Sequence, residues 1–258
     1  MPAPPDFSAL AGHDRVALGF SGGKDSTAVL VMLREAGLLD QVTVYHLDTG
    51  DLLPEMVEHV ARTVEGLPRF ERIQTDVRGW QWQHGMPSDL VPHTQHWIGQ
   101  QMGEGRGTRL VSRYDCCWAN LMAPFFDRVV EDGNTLLIRG TKRADMARLP
   151  ARTGDAGRGV ALLYPLEDWS HDDVRAYLAS RGVMLPPLYD RMVNAPECDG
   201  CTVWWGEGRG AYLAERYPEL HRDYADRMRL VVTEIGASSA PLAAELADCG
   251  LLEGANGG

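Results

Sequence analysis

The sequence predicts an α/β protein built on a doubly wound, mostly parallel sheet with flanking helices and a helical C-terminal region. Two observations carry that prediction. From Arg15 onward, short continuous apolar runs alternate with stretches of helical periodicity, the order that gives a parallel sheet with right-handed crossovers. The first apolar run ends in a glycine-containing turn that leads straight into a helix, Ser21-Gly22-Gly23-Lys24-Asp25-Ser26.

Taken in order, residues 1–13 are rich in proline and alanine and are expected to be disordered. Arg15 to Phe20 is a buried-strand run, and a helical pattern from Ser26 to Ala36 closes at Gly37, a natural C-cap. Gln41 to Leu47 reads as a second strand, Pro54 to Glu65 as a second helix and Phe70 to Gln74 as a third strand. Residues 76–112, with Trp80, Trp82 and Trp97, break the pattern and read as an irregular insert, a functional loop or lid. Asp115 to Val130 is helical, and Thr135 to Arg139 and Val160 to Leu163 are strands. Ser170 caps a helix that carries Asp172 and Asp173 in its first turn and ends before Gly182. These elements predict one domain over 14–205, then a helical segment and flexible tail over 206–258.

A net charge of −11 excludes broad electrostatic attraction to nucleic acid, which requires clustered cations. One basic cluster remains: Arg139, Lys142, Arg143, Arg148, Arg152 and Arg158. No run approaches eighteen uninterrupted apolar residues, and the N-terminus lacks the pattern of a signal peptide, so the expectation is a cytoplasmic protein without a membrane span.

The turn after the first strand carries the first chemistry. Gly22 and Gly23 let backbone N–H groups approach an anion, and the helix beginning near Ser26 adds unpaired donors and a partial positive charge. The hydroxyls of Ser21, Ser26 and Thr27 can donate to phosphate oxygens, and Lys24 supplies a full charge. The spacing is not that of a Walker loop.

The turn resembles the PP-loop of ATP pyrophosphatases and their relatives, and further segments are similar to the PAPS reductase family. They are Asp48-Thr49-Gly50 followed by Pro54-Glu55, Gly140-Thr141-Lys142-Arg143, Pro165-Leu166-Glu167-Asp168-Trp169, and Pro187-Leu188-Tyr189-Asp190, in family order from about residue 15 to 202. The resemblance implies a Rossmann-like PP-loop fold that takes an adenine nucleotide, whether ATP, APS or PAPS. It assigns Lys24 to the phosphates, Asp25 to a magnesium ion, and Lys142 and Arg143 to a sulfate or phosphate end group. A homo-oligomer is implied on the same ground.

Five cysteines, Cys116, Cys117, Cys198, Cys201 and Cys249, argue for metal binding or a reactive thiol over a disulfide framework. The pairs Cys116-Cys117 and Cys198-x-x-Cys201 are similar to the layout of the assimilatory APS reductase branch, which implies a 4Fe–4S cluster on four thiolates. A four-cysteine zinc site and unliganded thiols are the other readings. Two departures stand out: Trp118-Ala119-Asn120-Leu121 follows the first pair, and no arginine follows the second before Arg209. The segment Asp248-Cys249-Gly250-Leu251-Leu252 partly matches the tail that carries the nucleophilic cysteine of sulfonucleotide reductases, although Asp248 and Glu253 disfavour a thiolate.

Three functions follow. The first is sulfonucleotide reduction, with Cys249 as nucleophile and a thioredoxin-like reductant as partner. The second is ATP-dependent activation for sulfur transfer to DNA or tRNA, the only reading with a nucleic-acid partner. The third is a non-catalytic nucleotide-binding module.

Overall fold

The computed structural model describes residues 5–102, 108–145 and 152–250. In chain order the regular elements are β1 (Val16–Gly19), α1 (Lys24–Glu35), β2 (Val42–Asp48), α2 (Pro54–Val64), β3 (Phe70–Gln74), α3 (Val77–His84), β4 (Met86–Ser88), α4 (Trp97–Gln101), β5 (Leu110–Ser112) and α5 (Arg113–Cys117). A π-helical turn over Trp118–Met122 leads into α6 (Ala123–Glu131), followed by β6 (Leu136–Ile138), β7 (Ala156–Gly157), β8 (Val160–Leu163), α7 (His171–Ser180), α8 (Arg209–Arg216) and α9 (Pro218–Asp248).

The chain divides into two compact units, each discontinuous in sequence: residues 1–77 with 118–199, and residues 78–117 with 200–258. The first holds a six-stranded sheet in the order β3-β2-β1-β6-β8-β7, parallel except for the β7–β8 edge. The register runs through the central strand, where Val16 pairs with Val42 on one side and Leu136 on the other. Strand alternation then sorts side chains to two faces. Val16, Leu18, Val44 and Ile138 pack with Val60 of α2 and with residues of α1 and α7. Ala17, Tyr45 and Leu137 pack on the other face with Val129 and partly buried Phe125 and Phe126 of α6. Each such aliphatic side chain removed from water contributes about 1.5–3 kcal/mol, which makes both faces strong determinants of the doubly wound form.

Strand order reverses between β1 and β6. Chain growth from β1 runs outward through β2 and β3, and β6 then pairs on β1's other edge. A reversal of this kind opens a crevice at the carboxyl ends of the two strands, where residues 20–26 and 139–145 emerge.

The second unit contains the parallel pair β4–β5 with α4, α5, α8 and α9. Segment 76–112, which the sequence presents as irregular, therefore contains α3, β4, α4 and β5. The strands are three residues long and α4 is five, too short for periodicity to register. The 14–205 boundary also differs from the observed division, because residues 78–117 and 200–205 group with the C-terminal helices. Within the segment expected to be disordered, Ser8–Gly12 forms a 3₁₀ turn that seats Leu10 in the core. Helix α9 runs 31 residues and, by length and composition alone, is apolar enough to cross a membrane. The buried side chains among its described residues are Arg227 and Val231.

Candidate active site

The loop after β1 is shaped by its glycines. Gly22 has φ +79°, and a Cβ there would stand 2.4 Å from Val60 Cγ2, so both conformation and space require glycine. Gly23 caps α1 without a side-chain hydrogen bond, which leaves the cap itself to backbone groups. Ser21 Oγ and Ser26 Oγ lie 3.2 Å apart, and Ser26 Oγ donates to the Gly23 carbonyl at 3.1 Å. The Lys24 N–H donates to Tyr189 Oη at 2.8 Å, and burial pushes the Tyr189 phenol above its ordinary range.

Lys24 is buried, with its ammonium donating to Asn194 Oδ1 at 2.8 Å and pairing with Asp25 Oδ2 at 3.1 Å. Burial pushes its pKa down, partly offset by Asp25. Lys142 is fully buried and bridges two carboxylates, 2.7 Å from Asp25 Oδ2 and 2.9 Å from Asp145 Oδ1. Both lysines thus stand inside a charge network, and each already has polar partners. Such buried cations hold their carboxylates in place, because removing either partner strands a charge. Arg143 is exposed and pairs with Glu167 and Asp168. The Thr27 hydroxyl is also engaged, 3.3 Å from His59 Nε2. Arg148, in the basic cluster, lies outside the described residues.

Gly140 joins the two loops. A Cβ on it would lie 2.8 Å from the Asp25 carbonyl carbon and 2.9 Å from the Ser26 nitrogen, so segment 139–145 can seat against the start of α1 only with glycine at this position. Among the described residues, Asp25, Asp145 and His171 place three candidate ligand atoms within 4.8 Å of one another. Asp25 Oδ1 is buried there without a hydrogen-bond partner. Burial, with Lys24 and Lys142 nearby, holds the His171 pKa below its usual value. A magnesium ion fits this set poorly. The ion prefers an all-oxygen octahedral shell, and Lys142 already neutralises both carboxylates.

At the end of β2, Asp48 accepts from Arg72 and, at 2.8 Å, from the Gly50 N–H. Burial opposes its ionisation, yet these donors outweigh burial and hold the carboxyl below the usual range. Glu55 accepts from the Leu188 N–H at 3.1 Å, tying two of the sequence motifs together. Beyond Tyr189, residues 194–199 are strapped to the same loops at three points: Asn194 to Lys24, the Glu197 carbonyl to Thr49 Oγ1 at 2.9 Å, and the Asp199 N–H to the Asp51 carbonyl at 2.6 Å. Cys198 lies on this strap.

The other three paired cysteines belong to the second unit. None of the five cysteines forms a disulfide. Cys116 is buried and its sulfur accepts from Gln81 Nε2 at 3.4 Å. Gln81 in turn accepts from Arg227 Nη2 at 2.6 Å, and Arg227 also donates to the Gly200 carbonyl. Arg209 donates to the Cys201 carbonyl at 2.7 Å. A Cβ on Gly200 would meet the guanidinium groups of Arg227 and Arg78. The apparent lack of basic residues after the second cysteine pair is therefore corrected by folding. Arg78, Arg209 and Arg227 reach residues 200–201 from α3, α8 and α9, at sequence distances that no local motif can signal. A sulfur that accepts from an amide N–H, with guanidinium groups on the neighbouring backbone, is the kind of environment that suits a cluster-ligating thiolate, and Cys116 has it. Cys249 caps α9, exposed, with Sγ 3.9 Å from Glu245 Oε1. Leu251, Leu252 and Glu253 lie outside the described residues.

A glycine loop at the strand-order reversal of a parallel sheet, with a second loop seated against it, defines a doubly wound α/β protein with an anion-binding type of turn. The proteins that this chain resembles are sulfonucleotide reductases. The phosphoadenosine phosphosulfate reductase domain model matches residues 15–97. The adenosine 5'-phosphosulfate reductase of Rhizobium tropici is 26% identical over 163 residues, covering 60% of this chain and 80% of that protein. Its counterpart from Neisseria meningitidis serogroup B is 31% identical over 114 residues, covering 39% of this chain and 46% of that protein. This chain thus spans less than two thirds of some curated relatives. A crystal structure of the PAPS reductase from Candida auris, in a phosphate complex, aligns with a TM-score of 0.49 at 15% identity over 70% of this chain and 80% of that one.

Proposed function

We propose that the chain is a sulfonucleotide reductase, which takes APS or PAPS at the loops of 21–27, 48–50 and 139–143 and releases sulfite. What carries the reading is the strap of residues 194–199, which ties Cys198 of the second cysteine pair to the nucleotide loops through Lys24, Thr49 and Asp51. The relatives named as APS reductases support the substrate class.

In this reading the backbone of Gly22 and Gly23 and the hydroxyls of Ser21 and Ser26 receive the phosphate, while Lys24, Asp25 and Lys142 hold the loop rigid as a closed charge network. Asp48, Thr49 and Gly50 border the nucleotide, with Asp48 ionised at neutral pH. The Cys249 thiolate attacks the sulfur of the sulfonucleotide. A sulfur–sulfur bond forms, the bond from sulfur to the phosphate-bridging oxygen breaks, and the adenosine phosphate leaves with that electron pair. A thioredoxin-like dithiol then supplies two electrons, is oxidised to its disulfide and releases sulfite from Cys249. If Cys116, Cys117, Cys198 and Cys201 hold a 4Fe–4S cluster, it would supply electrostatic tuning.

The test is sulfite release from APS and from PAPS with thioredoxin, under anaerobic conditions. Wild-type protein is expected to release sulfite, Cys249→Ser to release none, and Cys198→Ser to lose bound iron and sulfide by analysis. Absence of sulfite from both substrates would overturn the reading.

A second reading, ATP-dependent activation for sulfur transfer to DNA or tRNA, has one observation in its favour. The complete turn Ser21-Gly22-Gly23-Lys24-Asp25-Ser26 has the form that resembles ATP-using PP-loop enzymes. Release of pyrophosphate from ATP that depends on a divalent cation and is abolished by chelation would favour it over reduction.

A further inference from the structure

On the helical face of the first unit, a cavity of about 590 Å³ opens among α1, α2 and the turn after α7, with Thr27 of α1 in its lining. That volume is in the range of small-molecule sites. Its apolar wall is formed by Val31, Leu67 and Val183. Its polar side carries Arg34, Arg62 and His59, with one acidic residue, Glu65. Neither guanidinium has an ion-pair or hydrogen-bond partner among the described residues, Glu65 included.

His59 points to a ligand more directly. It is 2% exposed, Nε2 lies 3.3 Å from Thr27 Oγ1, and Nδ1 is buried without a partner. An unsatisfied buried ring nitrogen is costly, a cost that a ligand in the cavity would remove. Burial, with Arg62 nearby, lowers the His59 pKa to about 4, so the ring is neutral at pH 7. If the Thr27 hydroxyl donates to Nε2, the ring proton sits on Nδ1 and becomes a donor. One donor, two unpaired guanidinium groups and an apolar wall together describe an anion with a hydrocarbon body.

We propose that this cavity is a second ligand site, meeting the phosphate loop only at Thr27, for a small amphipathic oxyanion: its head is received by Arg34, Arg62 and His59 Nδ1, and its apolar body lies along Val31, Leu67 and Val183. Such a ligand selects the Nδ1–H tautomer of His59 and thereby commits the Thr27 hydroxyl proton to Nε2. Thr27 is in the first turn of α1, so occupancy of the cavity reaches the start of the helix that carries the phosphate loop.

The experiment follows the histidine ring nitrogens by NMR in the full chain, with the His59 signals assigned from a His59→Gln spectrum. Octyl phosphate is the probe and inorganic phosphate the control for anion binding elsewhere. Octyl phosphate is expected to shift the His59 signals saturably, with at least tenfold weaker binding in Arg34→Gln/Arg62→Gln. Both arginines are exposed, so that variant keeps the wild-type unfolding midpoint. Unmoved His59 signals, equal affinity in the double variant, or an equal response to inorganic phosphate would each overturn the proposal.

Discussion

At Gly140 a single methyl group would strike the backbone of Asp25 and Ser26. Gly140→Ala must push the two loops apart, and overpacking of this kind costs about 1–3 kcal/mol. We expect a lower unfolding midpoint in calorimetry and at least tenfold weaker adenine-nucleotide binding by titration. His59 gives a pH dependence whose sign is fixed by its environment. Its folded pKa of about 4 lies below the unfolded value of about 6.5. The unfolded chain therefore takes up the proton first, and stability present above pH 6.5 is lost as pH falls toward 4, by about 2 kcal/mol once solvent screening is allowed for. Urea unfolding at pH 7 and pH 4.5 should show that loss in the wild type and a smaller one in His59→Gln. At this scale the sequence supplied the glycines, lysines and aspartates of the loop by motif. It could not supply Asn194 or His171, because each reaches the loop from more than a hundred residues away.

Helix α7 was fully legible. Its Ser170 cap accepts from the Asp173 N–H at 3.1 Å, and Asp173 reaches back to the Ser170 N–H at 2.9 Å, a reciprocal capping box. Ser170→Ala should cost about 1 kcal/mol, read as a fall of about 2–4 °C in unfolding midpoint. Strands β1 and β2 and helices α1 and α2 were equally plain, since each presents a largely apolar run or a 3.6-residue stripe to the sheet core. The elements between His84 and Ser112 were not. They are short, and β4 contains Pro87, a residue that argues against a strand on sequence grounds. Long α9 is legible only as part of a helical segment within 206–258. That Arg227 on it hydrogen-bonds Gln81 and the Gly200 carbonyl is a property of the fold, invisible to periodicity.

Across the molecule, stability should follow position in the sheet. Strand β1 is paired on both edges and buried on both faces, whereas β3 and β7 are the sheet's outer strands. Native-state hydrogen exchange is expected to find the slowest amides in β1 and β2, opening only with global unfolding, and faster exchange in β3 and β7. Uniform protection across the sheet would refute that ordering. The same strand order has a consequence for synthesis on the ribosome. The left neighbour of β1 is made within thirty residues of it, but the right neighbour, β6, is translated more than a hundred residues later. At roughly 5–20 residues per second the nascent chain holds the open edge of its central strand for roughly 5–20 seconds. That edge runs into the glycine loop of residues 20–26, so nascent-chain chaperones have that whole interval to reach it.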